Sequence, residues 1–280
     1  MAMETAGTGG DGSPSFEVPL SNVDRWRHWP GKIIPTKGDC AHTVSLLFEK
    51  LKEEGDNRGR CLDVLDLGCG DGSFLFNLFR ELERKGLKAG RVAGVDICEE
   101  GVRVAKDRVA QQGEKESVFA PQFFVADLCD ARRMQSLKIE AGLDFFDVVL
   151  LQLVLSVVGS ESERRTALEH SLSFLRDGGI FYLSVSGASG DINPEYQLQY
   201  EKDEPLTKEK NTYFSRDSST GAVLYSTHHF EVEELRSLLE SVGLEEVVVR
   251  QVKETSSRRP DQAAFFLYAC GRKAHTKQPN

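Results

Sequence analysis

The sequence predicts an α/β chain built on a doubly wound, seven-stranded, mostly parallel sheet with an antiparallel strand at its C-terminal end. Three observations carry this. From Cys61 onward, short apolar runs alternate with stretches of helical periodicity, the pattern of strands joined by right-handed crossovers. The first apolar run, holding Leu62, Val64, Leu65 and Leu67, stops at Gly68-Cys69-Gly70-Asp71-Gly72 and re-enters a helical stretch at Phe74. The last two runs, 246–252 and 263–270, are joined by a connection too short for a crossover helix, so they must pair antiparallel.

Taken in order, residues 1–16 are rich in Gly, Ser and Thr and are expected to form a disordered tail. Residues 17–60 read as an N-terminal arm. It holds both tryptophans, Trp26 and Trp29, beside Arg25, Arg27 and Lys32, and suits either a lid or an arm pinned by its aromatic residues to the sheet edge. Within it, 43–51 reads as an amphipathic helix. The main domain is expected over 61–273, followed by a tail at 274–280. Its strands are expected near 61–67, 91–96, 121–126, 145–151 and 179–186, and its helices near 73–85, 99–112, 130–139 and 161–176. A further helix at 230–242 ends at Gly243, the position a C-cap glycine prefers, and Phe230 and Leu235 are spaced to staple its start.

One piece exceeds the minimal sheet. Gly187 to His229 is an insertion after the fifth strand that gathers four of the six tyrosines: Tyr196, Tyr200, Tyr213 and Tyr225. The turn-forming Asp217-Ser218-Ser219-Thr220-Gly221 lies between β-prone runs at 212–214 and 223–227, which predicts a hairpin. Insertions on the carboxyl-end side of a parallel sheet commonly wall a substrate site, and those tyrosines, with Trp26 and Trp29, are the substrate-side candidates.

Composition narrows the function classes. At 280 residues and 40% apolar, the chain can bury a full core. A net charge of -9 disfavours a broad nucleic-acid surface. No apolar run reaches the length of a membrane span. Acidic residues and the lack of any basic one before Arg25 argue against a targeting segment, so a cytoplasmic location is expected. The six cysteines are scattered without a C-x-x-C pair, which predicts reduced thiols and no metal site.

The glycine spacing points to a ligand. A dinucleotide fingerprint wants its third glycine three residues after the second, where this chain has Ser73. Asp66 followed by Gly68-x-Gly70-x-Gly72 instead resembles motif I of the class I S-adenosylmethionine-dependent methyltransferases, with S-adenosylmethionine as the implied cofactor. The resemblance covers about Cys61 to Lys273. It implies that Asp66 helps hold the glycine loop and the methionine ammonium, and that Gly68, Gly70 and Gly72 let backbone approach the ligand without Cβ obstruction. It further implies that Asp96, with Ile97 beside it, accepts the ribose hydroxyls. Asp127, with Leu128, matches the acid near the adenine amino group, and Gln152 stands where cofactor and acceptor meet. Plainer alternatives stand beside these. Asp66 could satisfy loop amides, and Asp96 and Asp127 could cap the helices that follow them. The chain has no Asn-Pro-Pro-Tyr run after its fourth strand and no Pro-Cys pair, which tells against methylation of DNA bases, protein glutamine or a pyrimidine ring.

Candidate bases are His28, His42, His170, His228 and His229. The adjacent His228 and His229 end the inserted hairpin, and strand alternation predicts that one turns inward. An amine or thiolate acceptor needs no base, whereas a hydroxyl or carbon acceptor does. The expected activity is methyl transfer to a small molecule. RNA or protein methylation, and a non-catalytic cofactor-binding subunit, are the alternatives.

Overall fold

A computed structural model of the protein describes residues 22–28, 41–53, 59–111, 120–255 and 261–275. The expected tail at 1–16, Trp29, Lys32 and the last residues from 276 lie outside the described residues. In chain order the elements are α1 (Asn22–Arg27), α2 (Ala41–Lys52), β1 (Cys61–Leu67), α3 (Ser73–Arg84), β2 (Lys88–Asp96), α4 (Glu99–Gln111) and β3 (Gln122–Val125). Then come α5 (Ala131–Glu140), β4 (Phe146–Gln152), a 3₁₀ turn (Leu155–Val157), α6 (Glu161–Leu172), β5 (Leu175–Gly187) and α7 (Pro194–Thr207). The chain finishes with β6 (Thr212–Arg216), β7 (Val223–His228), α8 (Val232–Ser241), β8 (Leu244–Thr255) and β9 (Ala263–Lys273).

The seven-stranded sheet runs β3-β2-β1-β4-β5-β9-β8, and β6 with β7 forms a separate two-stranded ribbon. The first five strands pair parallel, and β9 runs antiparallel to both β5 and β8. Alternation within β1 sorts its side chains onto two cores. Leu65 and Leu67 join Val149, Leu151, Phe181 and Leu183 under α5, α6 and α8. Leu62 and Val64 join Val148, Leu150, Ile180 and Tyr182 under α2, α3 and α4. Because both faces are covered, the central strands are apolar almost throughout. No helix among the described residues is long and apolar enough to cross a membrane.

Local chemistry sets the helix ends. In α3 the buried Leu75, Phe76, Leu78, Phe79 and Leu82 form one stripe, and α6 starts at a Ser160–Glu163 capping box. Gly243 follows α8 with a φ of 94°, and Phe230 and Leu235 lie together in the core at that helix's start. Two expectations need correction. The helix expected to reach 176 ends at Leu172, because the Phe174 carbonyl already accepts the Phe146 amide at 2.9 Å and Leu175 enters the sheet opposite Phe146. The strand expected from 179 therefore starts at Leu175 and crosses the Gly178–Gly179 pair.

The insertion forms the predicted hairpin and also a helix, α7. Asn193 caps that helix through the Glu195 amide, and Pro194 occupies its first turn, both ordinary start signals. Its charges and the internal Pro205 hide the apolar stripe. Inside α7, Asp203 is fully buried and takes Nη1 and Nη2 of Arg216 at 2.7 and 2.6 Å, plus the Phe214 amide at 2.9 Å. This brace joins helix to hairpin. Asp203→Ala should cost about 1.5–3 kcal/mol, the range for hydrogen bonds to charged groups, since Arg216 keeps some water contact. The check is a lower urea midpoint at unchanged slope, and an unchanged midpoint would deny the brace.

Candidate active site

The carboxyl ends of β1, β2, β3 and β4 converge where the strand order reverses between β1 and β4, the usual crevice for a ligand in such a sheet. The glycine loop is tied there by backbone. The Gly68 and Cys69 amides donate to the Val95 carbonyl at 2.7 and 3.1 Å, and the Gly70 amide donates to Oδ2 of Asp96 at 2.8 Å. The other Asp96 oxygen, Oδ1, accepts from the Cys98 amide at 2.8 Å. One carboxylate thus spans the first two loops of the edge. Burial pushes the Asp96 carboxyl up, outweighing the opposing pull of those amides and of Ile97.

All three loop glycines have positive φ: 82° at Gly68, 53° at Gly70 and 73° at Gly72. At two of them the protein's own packing adds a reason for glycine. A Cβ on Gly68 would lie 2.1 Å from Cγ2 of Val154, and one on Gly72 would lie 2.7 Å from Cζ of Phe123. These two positions are glycine because the protein's own side chains fill the space, besides the backbone angle. Beyond the loop, Asp71 accepts the Ser73 amide and hydroxyl at 3.0 and 2.7 Å and pairs with Arg108 at 2.7 Å, which fastens the start of α3 to α4. Sequence reading missed Asp71, Arg108 and Val154. Only the polar Asp71-x-Ser73 spacing carried any signal.

Asp66 stands out. It is 1% exposed near the end of β1, and its Oδ1 has no hydrogen-bond partner among the described residues. Burial pushes its carboxyl up to about 8, with the Asp96 charge adding to the effect. An orphaned carboxylate oxygen beneath a glycine loop fits a cationic ligand group such as an ammonium. Asp127 lies past β3, where its Oδ1 accepts the Cys129 amide at 2.8 Å. The helix cap there belongs to Asp130, which accepts from Arg132 and Arg133. Leu128 is buried, and its carbonyl takes Nδ1 of His170 at 2.6 Å. Gln152 closes β4, with Oε1 accepting from Thr43 of α2 at 3.3 Å. Leu153 follows it at a left-handed φ of 56°, a conformation that costs energy for a leucine and marks the turn out of β4. Among the described residues no cluster of three or more His, Cys, Asp or Glu could hold a metal ion.

The substrate-side candidates divide. Tyr196, Tyr200 and Tyr213 gather around His229, whose Nδ1 lies 2.7 Å from the Tyr200 hydroxyl and whose Nε2 lies 3.5 Å from that of Tyr213. Leu153 packs against this cluster, which places it beside the end of β4. Tyr225 sits apart, with its ring 4.9 Å from that of Trp26. Asn22 holds α1 to β7 by donating to Val157 and Ser226 carbonyls at 2.7 and 3.0 Å and accepting the Ser226 amide at 3.0 Å. Within the arm, α1 is therefore fastened to the ribbon, while α2 packs on the main sheet. Both hairpin histidines are buried, 4% and 3% exposed, where alternation predicted only one. His228 sits in β7 between Thr212 and Glu234, at 2.7 and 2.8 Å, whereas His229 lies past the strand end and escapes its alternation.

Two outcomes follow from this geometry. Gly68→Ala should cost about 1–3 kcal/mol through overpacking, and a second change, Val154→Ala, should recover part of it. Additive losses in denaturation would show that the two do not touch. Asp66 sets a pH dependence. Its folded-state value lies above the ordinary 3.8, so the folded chain keeps a proton that the unfolded chain loses between 3.8 and about 8. Stability of the ligand-free protein should therefore fall as pH rises through that window and level off above it. Asp66→Asn should flatten the fall, as read from denaturant midpoints at about pH 5, 7 and 9. An equally steep variant would assign the slope elsewhere.

No curated protein matches the chain. Several solved structures share its fold. An S-adenosylmethionine-dependent methyltransferase from Methanosarcina mazei superposes with a TM-score of 0.62 at 23% identity, covering 80% of this chain and 97% of that one. One from Clostridium acetobutylicum gives 0.52 at 16% identity, covering 85% and 93%. A methyltransferase in complex with the Haloferax volcanii Trm112 activator gives 0.50 at 18%, covering 85% and 91%. A sequence model of the methyltransferase domain family matches residues 60–243. The chain belongs to that family, as a class I methyltransferase whose methyl donor is S-adenosylmethionine.

Proposed function

We propose that the protein transfers the methyl group of S-adenosylmethionine to a small-molecule acceptor by direct in-line displacement. When bound, the donor supplies a methyl group on a positively charged sulfur, an already activated leaving group. The chain's own residues then have to bind, orient and exclude water. In this reading Asp66 holds the donor's ammonium with its unpartnered oxygen, and the Gly68–Gly72 loop lies along the donor. Asp96 accepts the ribose hydroxyls with the lone pairs its two amide bonds leave free, and Ile97 flanks it. Asp127 and Leu128 border the adenine, and Gln152 marks the methyl end.

The observation that carries the small acceptor is the insertion beside Gln152. α7 and the β6–β7 ribbon bring Tyr196, Tyr200 and Tyr213 against Leu153 at the end of β4. An aromatic wall favours a small acceptor over a polymer that must lie across an open edge. The net charge of -9 supports the same choice.

Two measurements test this. Asp96→Ala should weaken S-adenosylmethionine binding by about 1.5–3 kcal/mol in calorimetry, and the unaltered protein should show no saturable NAD binding. Unchanged affinity in the variant, or tight NAD binding, would remove Asp96 from the donor site. For the acceptor, release of S-adenosylhomocysteine should appear with a pooled library of small molecules. Release only with RNA or with unmethylated protein would shift the assignment to those substrates. Donor binding without release on any of them would favour a non-catalytic subunit.

A further inference from the structure

Three sheet residues stand side by side in one row: Gln152 on β4 pairs with Ser184 on β5, which pairs with Tyr268 on β9. The first turn of α2 lies over this row. Thr43 donates to the Tyr182 hydroxyl at 2.9 Å and reaches Gln152 at 3.3 Å. Its neighbour His42 stacks on the Tyr268 ring, centroid to centroid 4.5 Å and 23° from parallel. Nε2 of His42 faces Oε1 of Glu254 on β8 at 3.4 Å, and the Tyr268 hydroxyl donates to that same oxygen at 2.6 Å. A carboxylate thus orients one ring nitrogen, an aromatic ring fixes the plane, and Nδ1 is left on the other side of the ring. The His42 side chain is 40% exposed.

No other histidine combines access with this position. His228 and His229 are buried with both ring nitrogens engaged. His170 is bonded to Leu128, and His28 ends α1 on the ribbon side. His275 lies beside Gly178, at the opposite edge of the sheet from the glycine loop.

We propose that His42, oriented by Glu254 and Tyr268, takes the proton of a hydroxyl-bearing acceptor at the methyl end of the site. This rests on the donor reading given above. The proton passes from the acceptor hydroxyl to Nδ1 of His42 as the oxygen lone pair forms its bond to the methyl carbon. The carbon–sulfur bond breaks with its electron pair remaining on sulfur, and the imidazolium then gives its proton to water. The products are a methyl ether and S-adenosylhomocysteine. Among the described residues, the titratable and charged groups facing the ring are Glu254 from β8 and Tyr268 from β9. Two turns down α2, Glu49 is paired with Arg250 of β8.

The test needs no identified acceptor. S-adenosylmethionine and S-adenosylhomocysteine differ by one methyl group and the sulfur's positive charge. Histidine-labelled protein is titrated by NMR in complex with each, His42 being assigned from the His42→Gln variant. His42 should titrate about half a pH unit or more lower with S-adenosylmethionine, because a nearby cation disfavours the imidazolium. His275 should not respond. A histidine remote from the methyl end would not respond to the sulfur's charge. Equal His42 titrations, with calorimetry showing that both ligands bind, would overturn the proposal and leave the donor site standing. Binding of neither ligand would remove both. With any hydroxyl acceptor found, His42→Gln should lower kcat by about 10²–10⁴ while donor affinity stays within about threefold, and retained turnover would also overturn the assignment.

Discussion

The ligand edge of this protein depends on one carboxylate that is already in use. Asp96 accepts the Gly70 amide on one oxygen and the Cys98 amide on the other, so the loops after β1 and β2 form a single unit. Val95, one residue earlier, takes two more loop amides through its carbonyl. The loop after β4 joins the same unit by packing, since Val154 lies against the space a Gly68 side chain would need. A site built this way is held by the protein's own contacts, which reduces the ordering that binding must offset. The cost is visible at Asp66. Its carboxylate is enclosed by a frame that, among the described residues, gives one of its oxygens no partner.

Much of this frame was legible because it is local. The apolar run of β1, the glycines and the acids at strand ends are each carried by a few adjacent residues. The parallel sheet follows from their order along the chain. The short connection between the last two strands was enough to set β9 antiparallel. What escaped reading depends on tertiary partners. Helix α7 was not legible in the insertion, because the burial of Asp203 makes sense only once Arg216 and the Phe214 amide come round to meet it. The glycines at 68 and 72 were legible as glycines, but Val154 and Phe123, distant in sequence, decide what fills their space.

The histidines show the same division. His228 and His229 attract attention as a pair in sequence, yet each is absorbed into a closed hydrogen-bond set, His229 within the insertion and His228 between Thr212 and Glu234 of α8. His42 offers no comparable signal, since its partners Glu254 and Tyr268 follow it by more than 200 residues. They meet because the antiparallel return of β9 carries Tyr268 to the row of Gln152, and α2 packs across that return. The strand that departs from the parallel pattern thus brings the C-terminal part of the chain beside Gln152 at the end of β4.

The contact of Asn22 with Ser226 has a meaning beyond anchoring the arm. A side-chain amide that donates to a carbonyl and accepts from the amide of the same residue reproduces what a neighbouring strand would supply. At Ser226 the outer side of β7 is therefore finished by a single side chain. A two-stranded ribbon has no other strand to close that side, and an open side is a template for a strand from another molecule. Proteolytic loss of the N-terminal arm would then do more than release Trp26 from Tyr225. It would also leave the amide and carbonyl of Ser226 without the partner that Asn22 supplies.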